Sequence, residues 1–380
     1  MKKIIVMAVV ALLLMSVSCK KNEPMIEEPV TEHTTAVTST TTEVTSRETS
    51  ETTLPSTTGR PEIVVETEGS TEKETEIQTT ASDPLLSDFF IYPGNDSRPI
   101  AVMIDNEGYK SYPQGGLQKA QIIYELIAEW GETRLVPVFY DIDEGRVGPV
   151  RSIRHYFIQF VMEYDPVIVH IGYSPQAQSM LSKNSIVTVN GLFGQPYPVF
   201  FDITKEANNW QDTYTDFISL NKLIPLKKFR TEPSKSFPFE YKDTKLSGET
   251  AEKIFVEYSK GYNIGFEYDI KTGLYARKRK GEYHIERYSG EILAARNIII
   301  QRVVTYPIKN DTSGRMTMDN VGKGTGLFIT GGKSEEISWE KTSDFAQTNY
   351  TLSRNGEKIT LNEGQTWIIV TATDSRITIE

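Results

Sequence analysis

Between Lys20 and Pro84 the chain has no aromatic residue; this stretch of 65 residues is dominated by Thr, Ser and Glu. Such a composition buries too little apolar surface to offset the entropy of ordering a chain. Residues 20–84 are therefore expected to form a disordered tether. Its character shows in Thr34-Thr35, Thr40 to Thr42 and Glu66-Thr67-Glu68. Any hydrophobic core has to come from Leu85 onward, and the 296 residues from there to Glu380 suffice for two ordinary domains.

Ahead of the tether stands Cys19, the sole cysteine. Lys2 and Lys3 give a positive start, Ile4 to Met15 an apolar run of twelve residues, and Ser16-Val17-Ser18 a small-residue approach to the cysteine. This is the layout of a bacterial secretory signal of the lipoprotein type, in which the cysteine becomes the first mature residue and carries the lipid. The run is too short for a retained span, which needs about 20 residues. A plain secretory signal is the competing reading, because Ser16 stands where the lipoprotein pattern prefers Leu. An unpaired thiol in an exported protein favours acylation, and the lack of a second cysteine excludes disulfides and multi-thiolate metal sites. The expected location is the extracytoplasmic face of the cell membrane, with the lipid at Cys19 as anchor.

The formal charge of −10 is unevenly spread. Residues 20–84 hold 5 Lys/Arg against 14 Asp/Glu, a net of −9, so residues 85–380 carry only −3. The acidity belongs to the tether, and the nearly balanced remainder predicts no nucleic-acid partner. As a flexible coil the tether would span on the order of 45 Å, and more where its charges repel.

Apolar and amphipathic runs after Leu85 predict an N-terminal α/β layered domain over 85–235. Its strands are expected at Ile100–Ile104, Leu135–Tyr140, Val167–Ile171 and Ile186–Val189. Helices are expected within Gln118–Glu129, Val150–Met162 and Asp212–Leu223 and at Ala177–Leu181. A junction at 236–248, rich in turn residues, leads to a mainly antiparallel β-sandwich or barrel over 249–380. Its short strands are separated by Lys280-Gly281, Gly331-Gly332 and Asn355-Gly356. The whole is expected to be α+β.

Candidate chemistry concentrates in the first domain. Glu125 and Glu129 would share a face of the expected helix. Gly148-Pro149 would let a helix begin at once, which puts Arg151, Ser152, Arg154 and His155 in its first turns. With Arg134, these residues would form an anion site at a helix N-terminus. The alternative is an internal ion-pair network with Glu125, Glu129 or Asp105. Asp105 and Asn106 end the first strand, where α/β proteins gather ligands. The two glutamates alone are too few for a hard cation, and the four histidines have no metal spacing, so neither a metal nor a cofactor is expected. Gly322-Lys-Gly-Thr-Gly326 lacks the full phosphate-loop spacing and the following helix, so a β-turn is expected there. Trp339, Trp367 and their neighbouring tyrosines are expected in the core rather than on a sugar-stacking surface.

Several segments, in order, carry a family resemblance. They are Ala101-Val-Met-Ile-Asp-Asn106, Pro113-Gln-Gly-Gly-Leu117, Ile123-Tyr-Glu125 with Glu129, Gly131-Glu-Thr-Arg134, Gly148-Pro-Val-Arg-Ser-Ile-Arg154 and Gly172-Tyr-Ser-Pro175. Gly322 to Gly326, Ile337-Ser-Trp-Glu-Lys341 and Gly364-Gln-Thr-Trp-Ile368 follow. Together they cover 88–372 and resemble the YerB-like lipoproteins, which pair two domains of unknown function. The resemblance implies this architecture and no established activity. Relatives commonly carry a His-Asn pair before a late Tyr; here the place is Gln211-Asp212-Thr213-Tyr214.

The sequence thus predicts a non-catalytic lipoprotein whose α/β domain binds an anionic envelope ligand or a protein partner. One alternative is an enzyme acting on phosphate-bearing cell-wall precursors, with Asp105 assisting the chemistry and the arginines neutralising phosphate charge. Another is an envelope scaffold with no small-ligand cleft.

Overall fold

The computed structural model describes residues 90–94 and 97–380. Cys19 and the 20–84 segment lie outside the described residues, so neither expectation for them is tested. The described chain is a mixture of α and β in which strands predominate.

A 13-stranded sheet runs through both expected domains. From the C-terminal edge its main path is Glu249–Thr250, Lys333–Lys341, Gly322–Thr330, Asn297–Pro307, Thr366–Ala372, Ile122–Ile127, Thr133–Phe139, Ile100–Val102, Val167–His170 and Thr188–Asn190. The crossing point is a parallel ladder from Thr366↔Ile122 to Val370↔Leu126. On one side the strands of 100–102, 167–170 and 188–190 run parallel. On the other side antiparallel hairpins prevail, including the one that turns at Gly331-Gly332. The segment 236–248 is not an open linker. Phe239 is buried and stacks on Tyr350, and Tyr241 bridges Leu361.

The shared sheet has a core on each face. One face meets a six-stranded sheet containing Lys253–Ser259, Tyr262–Asp269, Leu274–Arg279 and Ile377–Ile379, with helix α3 (Phe217–Leu226) beside it. The other receives helix α1 (His155–Val161), which buries Tyr156, Phe157, Ile158 and Phe160 there, and Ala177 of helix α2 (Pro175–Lys183). Each fully buried large apolar side chain contributes roughly 1.5–3 kcal/mol. Trp367 and Trp339 are core residues, as expected. Gly322–Gly326 is not a turn but lies within a strand paired with Ile337–Lys341, where a Cβ at Gly324 would sit 2.5 Å from the Trp339 indole; a small residue is required there for packing.

Two expected helices are corrected. The segment Gln118–Glu129 is a short 3-10 turn, Leu117–Lys119, and then the strand Ile122–Ile127. Both faces of that strand are buried, Ile123 toward one core and Tyr124 and Leu126 toward the other, so its apolar run imitates a buried helix. The helix expected from Val150 starts only at His155. Residues 149–153 are held extended between two neighbours, through Asp105 N→Pro149 O, Arg151 N→Met103 O and Ile171 N→Arg151 O. Similarly, Thr213–Asp216 is a strand, and Asp216 caps α3 by accepting from Ser219 N at 2.8 Å.

Candidate functional site

Because Glu125 is on a strand and Glu129 in the turn that follows, the two carboxylates do not share a helix face and join separate networks. Glu125 is fully buried, and its partner comes from the C-terminal half: Arg277 Nη2 lies 2.5 Å from Glu125 Oε2. Thr133 Oγ1 and Tyr262 Oη donate to Glu125 Oε1 at 2.8 and 3.0 Å. Asn106 Nδ2 donates to Thr133 Oγ1 at 2.8 Å and to the Tyr262 hydroxyl. Gln114 Nε2 donates to Asn106 Oδ1 at 2.9 Å, and His284 Nε2 meets Gln114 Oε1 at 2.6 Å. The second nitrogen of that ring, Nδ1, accepts from Arg277 Nη1 at 2.5 Å. This pairing requires a neutral imidazole with its proton on Nε2. Burial, followed by Arg277 and Arg279, holds the His284 pKa well below its ordinary value.

Arg134 and Arg154 converge on Glu129. Arg134 Nη2 lies 3.1 Å from Glu129 Oε2, and Arg154 Nε donates to Glu129 Oε1. Arg134 also donates to the Ser152 carbonyl at 2.6 Å, which is how Ser152 enters the cluster. Burial alone would raise the Glu129 carboxyl, but Arg134 and Arg154 outweigh it and hold the group below its usual range. Trp130 and Gly131, next in the turn, have φ of 56° and 82°. A Cβ at Gly131 would lie 2.6 Å from Ser259, so the turn tolerates no side chain there.

Arg151 points elsewhere. Its Nε lies 3.1 Å from Asp105 Oδ2 and its Nη2 3.6 Å from Glu107 Oε2. The guanidinium carbon sits 3.7 Å from the centre of the Trp210 ring. Asp105 is wholly buried and also accepts from Glu107 N and Gln211 Nε2, each at 2.9 Å. Gln211 thus orients that carboxylate. Burial, and then the Asp105 charge, raise the Glu107 carboxyl against Arg151 and Arg134. Trp210 is 53% exposed and borders a shallow groove of about 570 Å³ with Asp202, Thr204, Asn208 and Thr213. Tyr109, 81% exposed, lies on the loop that Lys110 ties to Glu206 of the groove.

His155 turns away to Thr317 Oγ1 at 2.9 Å; burial, then Arg154, lower its pKa. The expected joint anion site at a helix N-terminus is therefore corrected. Arg151 lies outside the helix and faces Asp105, while Arg154 faces Glu129 and His155 faces Thr317. Sequence reasoning missed Arg277, Arg279, His284 and Trp210. A signal for the first two existed, since both occupy inward-facing places of the alternating strand Leu274–Arg279.

The fold and these closed networks define a strand-dominated body of two sequence parts, welded by one sheet and by buried charge pairs across them. Residues 92–230 match the family model described as "Protein of unknown function (DUF3048) N-terminal domain", and residues 254–368 match its C-terminal domain. The chain belongs to this family. It is 30% identical over 280 residues to the putative lipoprotein YerB of Bacillus subtilis (strain 168), spanning 72% of this chain and 81% of that protein. The crystal structure of the YerB protein from Bacillus subtilis superposes with a TM-score of 0.66 at 26% identity, covering 78% of this chain and all of that one.

Proposed function

We propose that this protein is a lipid-anchored, extracytoplasmic interaction module without catalytic activity, and that it contacts an envelope protein through the Trp210, Tyr109 and Arg151 surface. The observation that carries this reading is the exposed Trp210 ring with Arg151 stacked on it, beside the exposed Tyr109. Trp, Tyr and Arg are the side chains that dominate the energetics of protein contacts. Charge counting favours a protein over an anionic ligand. Arg134 and Arg154 share Glu129, and Arg151 faces both Asp105 and Glu107, so three cations meet three carboxylates and the cluster has no surplus of cations. The enzyme reading is weakened because Asp105 is buried, accepts from Glu107 N and Gln211 Nε2 and is ion-paired with Arg151.

The test is site-specific photo-crosslinking in cells, with the crosslinker at Tyr109 or Trp210 and a control at Ile270, which is exposed at least as much as either. A discrete adduct at the first two positions, absent at Ile270 and lost on Arg151→Ala, is expected. Adducts that do not depend on position, or that persist in the Arg151 variant, would overturn the assignment.

A further inference from the structure

Helix α3 has a core face and a second face of unusual makeup. Phe217, Leu220, Leu223 and Ile224 are buried against the shared sheet. Ile218, Lys222 and Leu226, spaced by four, share the opposite face. Ile218 is 49% and Leu226 64% exposed, and Lys222, Lys227 and Lys228 are exposed beside them. Between Phe217 and Arg230 there are four cations and no acid, in a body whose overall charge is close to balance. Arg230 pairs with Asp165, whereas the three lysines have no ion-pair partner among the described residues.

The path of the entering chain bears on what this face meets. Gly94 N donates to Asp141 Oδ2 at 3.0 Å, and the next residue, Ile142, accepts from Asn221 of α3 at 2.8 Å. Arg98 N then donates to Thr231 O at 2.6 Å, three residues beyond Lys228. Gly94 and Arg98 of the entering chain are thus held to segments that adjoin this helix, at Asp141 beside the Ile142 that Asn221 touches and at Thr231 beyond its end, while Phe90 and Tyr92 pack on Tyr241.

From these observations we infer that the exposed face of α3 docks the body onto an anionic lipid surface. The lysines would meet headgroup phosphates while Ile218 and Leu226 enter the interface. Each lysine near such a surface contributes on the order of 1 kcal/mol. That is weak for a free protein, but a tether of this length raises the effective concentration of the surface enough to make it count. A second copy is a poor occupant, because a two-fold contact would set lysine against lysine. The inference rests on the lipid-anchored reading above for the tether that holds the body beside a membrane, and it is independent of the Arg151 surface.

The test uses the chain from Lys20 to Glu380, which lacks both the apolar leader and the acylation site and keeps the whole described body. Flotation with vesicles of phosphatidylglycerol and phosphatidylcholine is compared with phosphatidylcholine alone. Binding that requires the anionic lipid and weakens at high salt is expected. It should fall about tenfold or more in Lys222→Gln/Lys227→Gln/Lys228→Gln. It should also fall in Ile218→Ser/Leu226→Ser and be unchanged in Arg151→Ala, with thermal midpoints like the parent's. No anion-dependent binding, or binding that survives the triple lysine substitution, overturns the inference. So does binding to polyglutamate without binding to vesicles, which would assign the face to an acidic partner. Absence of lipid on the wild-type chain in cells would refute the anchor while leaving the vesicle result standing.

Discussion

Arg277 and Glu125 are each fully buried and come from opposite halves of the chain. Removing one member of such a pair strands the other in a dry environment, at a cost of about 3–5 kcal/mol, whereas replacing both with apolar groups is often nearly neutral. Arg277→Met should therefore lower stability by about that amount, and Glu125→Met/Arg277→Met should recover most of it, as read from denaturant midpoints. His284 and His170 make stability depend on pH. Both are buried and neutral; burial and the nearby Arg277 and Arg279 depress His284, and burial alone lowers His170 to about 4 despite its bond to Gly172 O. With folded values below the ordinary value of about 6.5, the unfolded chain binds more protons under that pH. Their contribution is complete above about pH 6.5 and is lost as pH falls toward the folded values, at roughly 1.4 kcal/mol per pH unit for each histidine. In His284→Gln, denaturation midpoints measured from pH 7 to 5 should fall less steeply than the parent's. At this scale the sequence offered Arg134, Arg151 and Arg154 as partners of Glu125, Glu129 or Asp105, and the structure pairs them with Glu129 and Asp105 but not with Glu125. The sequence could not disclose the pairing of Glu125, which is satisfied by a residue 152 positions away.

Strands whose apolar runs have clear ends, such as Ile100–Val102 and Val167–His170, and hairpins marked by Gly-Gly or Lys-Gly, were legible. The misread elements failed for a common reason. Ile122–Ile127 and residues 149–153 owe their conformation to backbone partners distant in sequence, which neither propensity nor periodicity reports. α3 could be anticipated only in part, since its start depends on Asp216 leaving the strand Thr213–Asp216 and capping the helix. Asp216→Ala should cost about 1 kcal/mol, measurable as a lower thermal midpoint with the near-UV spectrum unchanged.

The two sequence parts that the family models separate share one sheet and two cores. The parallel ladder of 122–127 with 366–372, the Glu125–Arg277 pair and the buried Lys341–Glu163 pair at 2.6 Å all cross between them. Residues 85–235 or 249–380 expressed alone should therefore lack cooperative unfolding, while co-expression should restore it; calorimetry of the separate and combined fragments decides this. The composition change near Gly248 separates two stretches of sequence but carries no information about the ladder that joins them. The place where the chain enters the shared sheet also bears on how the body takes mechanical load. Arg98 lies two residues before the interior strand Ile100–Val102, and Asp105, which holds Arg151, lies at the far end of the same run. A pull between an anchored N-terminus and a partner gripped at Arg151 acts nearly along these strands. It strains their hydrogen bonds to 133–139 and 167–170 together in shear instead of opening them one at a time, which is the direction in which a sheet resists rupture best.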